Sequence, residues 1–132
     1  MLSANTVTTQ AVPVNGVISF NNTSIQTGRT SVNNVTSVAL NKPGFYKVDF
    51  NATVSGDGNV TIGLYNNGVS VNGAVGTASV ASSTNAVIAF TTIIRVHCNC
   101  CLNTTTPASL TLRNTGVASN VTGANINVTK IA

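Results

Sequence analysis

Gly44-Phe45-Tyr46-Lys47-Val48-Asp49-Phe50-Asn51-Ala52-Thr53-Val54 decides how the rest of the chain is read. Tyr46, Val48, Phe50, Ala52 and Val54 take every second position, and Lys47, Asp49, Asn51 and Thr53 lie between them. Neighbouring side chains of an extended strand point to opposite faces, so this period of two predicts a strand with one face buried. Lys42-Pro43-Gly44 turns the chain into it, and Ser55-Gly56-Asp57-Gly58 closes a hairpin into residues 59–65, where Val60, Ile62 and Leu64 alternate. Asn66-Asn67-Gly68 closes the next hairpin, because Asn-Gly accepts the positive φ angles of tight turns. Residues 69–71, a turn at Asn72-Gly73 and a short strand over 75–81 follow. Residues 86–96 form a long, nearly continuous apolar strand, the expected sheet centre. Further strands are expected over 12–20 (interrupted at Asn15-Gly16), 32–40, 109–113 and 124–131. Turn residues thus recur roughly every eight to twelve positions, the spacing of an all-β sandwich of short strands.

Composition supports this class and narrows the function. The 132 residues suit one domain with a real core. Hydrophobic residues make up 42% and charged residues only 6%. Val, Ile and Thr favour strands, whereas Glu, Lys, Leu and Gln are too sparse for long helices. A small domain this apolar and this weakly charged is expected to cover part of its surface with copies of itself. The cations Arg29, Lys42, Lys47, Arg95, Arg113 and Lys130 are scattered and not interleaved with aromatics, which argues against nucleic acid. Asp49 and Asp57 are the only acids, too few for a calcium cage. No run approaches the roughly 20 apolar residues of a membrane helix, so no membrane insertion is expected. The first residues lack a basic stretch followed by an apolar one, so no signal peptide is expected and synthesis is cytoplasmic.

Gly44-Phe45-Tyr46-Lys47-Val48-Asp49-Phe50 resembles the Gly-x-Tyr-x-Phe-x-Phe signature of the complement q-subcomponent and tumour necrosis factor superfamily, with Val48 in place of the first Phe. The order downstream is similar too. Thr61-Ile-Gly-Leu-Tyr-Asn-Asn-Gly-Val-Ser-Val-Asn-Gly73 is followed by a long apolar strand and a terminal Asn125-Ile-Asn-Val-Thr-Lys-Ile-Ala132. Over about residues 15–132 the chain most resembles the globular C-terminal domain of collagen-like glycoproteins on bacterial spore surfaces, and related phage virion proteins. The resemblance implies a jelly-roll β-sandwich of about ten antiparallel strands that forms a homotrimer. Tyr46, Val48, Phe50 and Phe90 are then core or trimer packing. No Gly-x-y collagen stalk is present. A trimeric jelly roll without stalk or signal peptide suits a bacteriophage capsid decoration or head-fibre protein at the virion surface. The alternative is a trimeric adhesion, receptor-binding or glycan-binding module on a phage fibre, spore or cell surface.

Catalysis finds little support. Asp49 falls on the outward side of its strand and Asp57 at a hairpin tip, and the single His97 has no evident carboxylate partner for a triad. No enzyme activity and no cofactor are expected. His97-Cys98-Asn99-Cys100-Cys101 is the one chemically loud motif. Thiolate and imidazole suit zinc or cuprous copper, yet adjacent strand residues face opposite ways and no second ligand pair follows. Three reduced thiols, a disulfide between subunits and a metal site all remain open for His97, Cys98, Cys100 and Cys101. Asn-x-Ser/Thr sequons at Asn21, Asn22, Asn34, Asn51, Asn59, Asn103, Asn120 and Asn127 are what so Asn- and Thr-rich a chain makes by chance. Residues 1–11 are expected to be an arm that anchors the domain of residues 12–132 to a particle, with Leu2 and Val7 as apolar contacts.

Overall fold

The computed structural model describes residues 2–6, 9–20, 22–26, 30–34, 36–40, 43–81, 84–96, 98–99, 104–105 and 108–131. These residues build strands and connecting turns. The strands are β1 (Leu2–Asn5), β2 (Gln10–Val12), β3 (Asn22–Gln26), β4 (Thr30–Asn34), β5 (Ser37–Leu40), β6 (Gly44–Gly56) and β7 (Gly58–Asn66). They continue with β8 (Val69–Val80), β9 (Asn85–Val96), β10 (Cys98–Asn99), β11 (Thr104–Thr105), β12 (Ala108–Asn114) and β13 (Ser119–Lys130). One large sheet has the order β3-β1-β13-β6-β9, with β2 also on β13, the other has β4-β5-β12-β7-β8, and β10 and β11 form a separate two-stranded ribbon. Every pairing is antiparallel. The architecture is therefore an all-β sandwich of two sheets.

The alternation read around Tyr46 is the alternation observed. Tyr46, Val48, Phe50, Ala52 and Val54 of β6 are all buried, and Phe45, Lys47 and Asn51 are exposed. Opposite them lie Val60, Ile62 and Leu64 of β7 with Leu110 and Leu112 of β12, also buried. Each such side chain contributes about 1.5–3 kcal/mol on leaving water, so this interior holds the sheets together. The Asn66–Gly68 turn also forms as expected: Asn67 and Gly68 have φ of 52° and 85°. The Asn67 carboxamide oxygen further accepts the Ser109 N–H at 2.9 Å.

Two expectations are corrected. The N-terminal arm is not separate from the sandwich. Residues 2–5 pair with Asn125–Val128 of β13, and residues 10–12 pair with Ser119–Val121. Without them one side of β13 would present unpaired backbone groups. Ala4, Thr6 and Val12 are buried, so this segment has partners within the fold. The ground for reading Leu2 as an anchor is thereby lost, and Val7 lies outside the described residues. The second correction concerns residues 86–96. Strand β9 lies at the edge of its sheet, not at the centre. Its inner residues Ile88, Ile94 and Val96 are buried, whereas Val87 and Ile93 on the outer face are 68% and 58% exposed. The run is apolar on both faces although the protomer covers only one.

Candidate functional site

The residues singled out in the sequence scatter across the molecule. Tyr46, Val48 and Phe50 sit in the protomer interior. Phe90 on β9 is half-buried against them, with its ring centroid 5.4 Å from that of Phe50 at a 36° tilt. All four serve the core of one chain, so a surface for another molecule must be sought elsewhere. Cys98 lies on β10, its backbone paired with Thr105. His97, Cys100 and Cys101 fall outside the described residues, so the geometry of that motif is not defined. Among the described residues, no group of three or more His, Cys, Asp or Glu comes together. Asp49 accepts a hydrogen bond from the Thr91 hydroxyl at 2.6 Å and lies 4.0 Å from the Lys47 ammonium. Asp57 is exposed at the far end of the same hairpin arm, roughly 25 Å along the strand, too far for paired acid–base work.

Two surface features that the sequence reading did not isolate stand out. The first is the flank where the edge strands of the two sheets, β8 and β9, run side by side. A Cβ at Gly76 would lie 2.5 Å from the Ile88 Cγ2, so the two strands close on each other only because position 76 has no side chain. On these two edge strands Val69 and Val75 of β8 and Val87 and Ile93 of β9 are more than half exposed. The second is a depression of about 260 Å³ on the outer face of the second sheet. Along β7 the ladder steps from Gly63 to Tyr65, while β8 steps from Val75 to Ser70. Residues 71–74 thus stand opposite Leu64 alone, and Gly73 turns the bulge at a φ of +78°, with open space where a Cβ would stand. Gly63 and Leu64 line the depression, as do Tyr65, Ser70, Asn72 and Thr115. Arg113, paired with Gly63 in the ladder, holds its guanidinium carbon 5.1 Å from the Tyr65 ring centroid. Its Nε–H is buried without an acceptor.

No family model matches the chain, and no curated protein does. Solved structures do match. The globular domain of zebrafish complement 1qA protein superposes with a TM-score of 0.73 at 13% identity, over 99% of this chain and 96% of that one. Murine APRIL gives 0.66 at 12% identity, over 98% of each chain. PRD1 vertex protein P5 gives 0.59 at 17% identity, over 99% and 96%. The chain has the jelly-roll fold of the tumour necrosis factor and complement-q type. At such identities the likeness establishes the jelly roll alone, and function must be argued from surfaces. The signature around Tyr46 was its legible part. The β8–β9 flank was hidden, because Val75, Val87 and Ile93 belong to ordinary strand patterns. The depression was hidden because a ladder mismatch makes it. The nearest sequence signal was Asn72-Gly73, which reads as a simple turn.

Proposed function

We propose that this chain is a non-enzymatic structural protein that assembles as a homotrimer on the surface of a larger particle. The specific setting we propose is the capsid of a bacteriophage, in a decoration or head-fibre role. The observation that carries the trimer is the set of apolar side chains left exposed on the two edge strands, β8 and β9. Val69, Val75, Val87 and Ile93 account for four of the seven large apolar side chains exposed among the described residues. Long apolar edge strands left open are an aggregation hazard, and natural sheets blunt them with charge, Pro or a cover. Neither β8 nor β9 contains Pro, and the one charged residue on the two strands is Arg95. A cover supplied by the next copy in a closed ring removes the hazard, and the superfamily resemblance implies that the ring has three members. The fold likeness to a vertex protein supports the particle setting.

Light scattering coupled to size exclusion tests the assembly. A mass near three times 13.4 kDa is expected, and a clean monomer overturns the trimer. Immunodetection across purified particles from the host of origin tests the setting, which fails if the protein occurs in none.

A further inference from the structure

We propose that the depression beside Tyr65 is a binding subsite for one carboxylate-bearing sugar residue, with Arg113 as the partner of the carboxylate. Every residue the proposal uses comes from one chain, although Val75, which also lines the hollow, belongs to the apolar side chains counted for the proposed trimer, so the hollow borders that interface.

The shape argument comes first. The β8 bulge holds residues 71–74 away from the ladder, so the hollow is built by backbone register and not by one side-chain rotamer. Its volume of about 260 Å³ is below that of drug-sized sites, roughly 300–1,000 Å³, and accommodates one sugar ring rather than an extended chain. Its wall chemistry is mixed. Tyr65 supplies aromatic surface, Val71, Ala74 and Val75 aliphatic surface, and Ser70, Asn72 and Thr115 hydroxyl and carboxamide groups. Aromatic surface beside short hydrogen-bonding groups matches a sugar, which has an apolar ring face and a polar rim.

Charge then selects the kind of sugar. Arg113 does not itself line the hollow but flanks it: its guanidinium stacks on Tyr65, and Thr115 stands two positions along the chain, and both of these line the hollow. The chain has only two acids. Asp49 is engaged by Thr91 and Lys47 on the other sheet, and Asp57 sits at the β6–β7 turn. Arg113 forms no ion pair among the described residues, so it carries its charge without a counterion, half-buried and with one donor unsatisfied. A guanidinium fork fits a carboxylate in bidentate fashion. One cation balances one carboxylate, whereas a phosphate of nearly two negative charges would stay under-compensated.

Titration of the isotope-labelled full chain with sodium glucuronate, followed by backbone amide shifts, tests the idea, with glucose and sodium acetate as controls. Saturable shifts centred on Gly63, Tyr65, Asn72, Gly73 and Thr115 are expected with glucuronate. Its affinity should exceed that of either control by about tenfold or more, the scale of one good charged contact. Arg113→Gln should abolish the preference over glucose. Should that variant not fold, Arg113→Lys serves instead: it keeps the positive charge but loses the bidentate fork, and should lower the preference for glucuronate over glucose several-fold. Absence of saturable shifts overturns the site. Equal response to glucuronate and glucose overturns the role of Arg113, and equal response to acetate overturns the sugar.

Discussion

Asn114 is the most connected polar side chain in the described interior. It is fully buried. Its carboxamide nitrogen donates to the Val117 carbonyl at 2.8 Å and, at longer range, to the Val12 carbonyl and the Ser119 hydroxyl. Its carboxamide oxygen accepts the Gly116 N–H at 3.0 Å. Its backbone meanwhile binds Asn15 and Gly16, where the chain crosses from the first sheet to the second. One residue thus ties the entry of the fold to the turn before its last strand. Asn114→Ala leaves buried donors and acceptors unmatched and should cost about 2–4 kcal/mol, read as a lower urea midpoint at unchanged slope. Val48 makes a different point. The family signature has Phe there, but Val48 is fully buried between neighbours already in contact. Val48→Phe should therefore destabilise by about 1–3 kcal/mol through overpacking, visible in the same denaturation experiment.

At the scale of elements, β9 carries the argument for assembly. Val87 and Ile93 point away from the core, so the double substitution Val87→Lys, Ile93→Lys should leave protomer stability within about 1 kcal/mol. It should nevertheless reduce the scattering mass to that of a monomer. An unchanged mass would remove this flank from the interface. The same strand illustrates what a sequence can and cannot tell. Strands β6, β7, β12 and β13 were legible, because one face is buried by the chain itself and the period of two records it. An apolar run on both faces reads alike for a central strand and for an edge covered by another molecule, so β9 was misplaced. Strands β1 and β3 were missed for the opposite reason. Leu2-Ser3-Ala4-Asn5 and Asn22-Thr23-Ser24-Ile25-Gln26 have weak patterns of their own, and their order comes from pairing, β1 with β13 and β3 with β1. The candidate sugar subsite was illegible because Arg113 and Gly63 are brought together only by ladder register.

Across the whole molecule, the chain's two ends share one sheet. Strand β1 pairs with β13, so the first strand covers the open side of the last, and the pairing spans nearly the full sequence. The Gln10 side chain reinforces the following segment: its amide donates to the Ser19 carbonyl and accepts the Ser19 N–H, at 2.9 and 3.0 Å. Contacts this distant in sequence form late and slowly in folding, yet they close the fold against edge pairing. An anchor and a closing strand make opposite predictions for removal of residues 1–9. An anchor could be cut away with the melting temperature intact and only particle attachment lost. A closing strand could not. Its removal leaves the backbone of Asn125–Val128 unpaired along one side and uncovers the surface on which Ala4 and Thr6 are buried. Each lost backbone hydrogen bond is worth about 1 kcal/mol net, so the truncated chain should lose at least about 2 kcal/mol and aggregate on warming. Calorimetry of the two chains at equal concentration decides between them. Coincident melts would restore the anchor, and a lowered, irreversible transition would assign residues 2–5 to the fold.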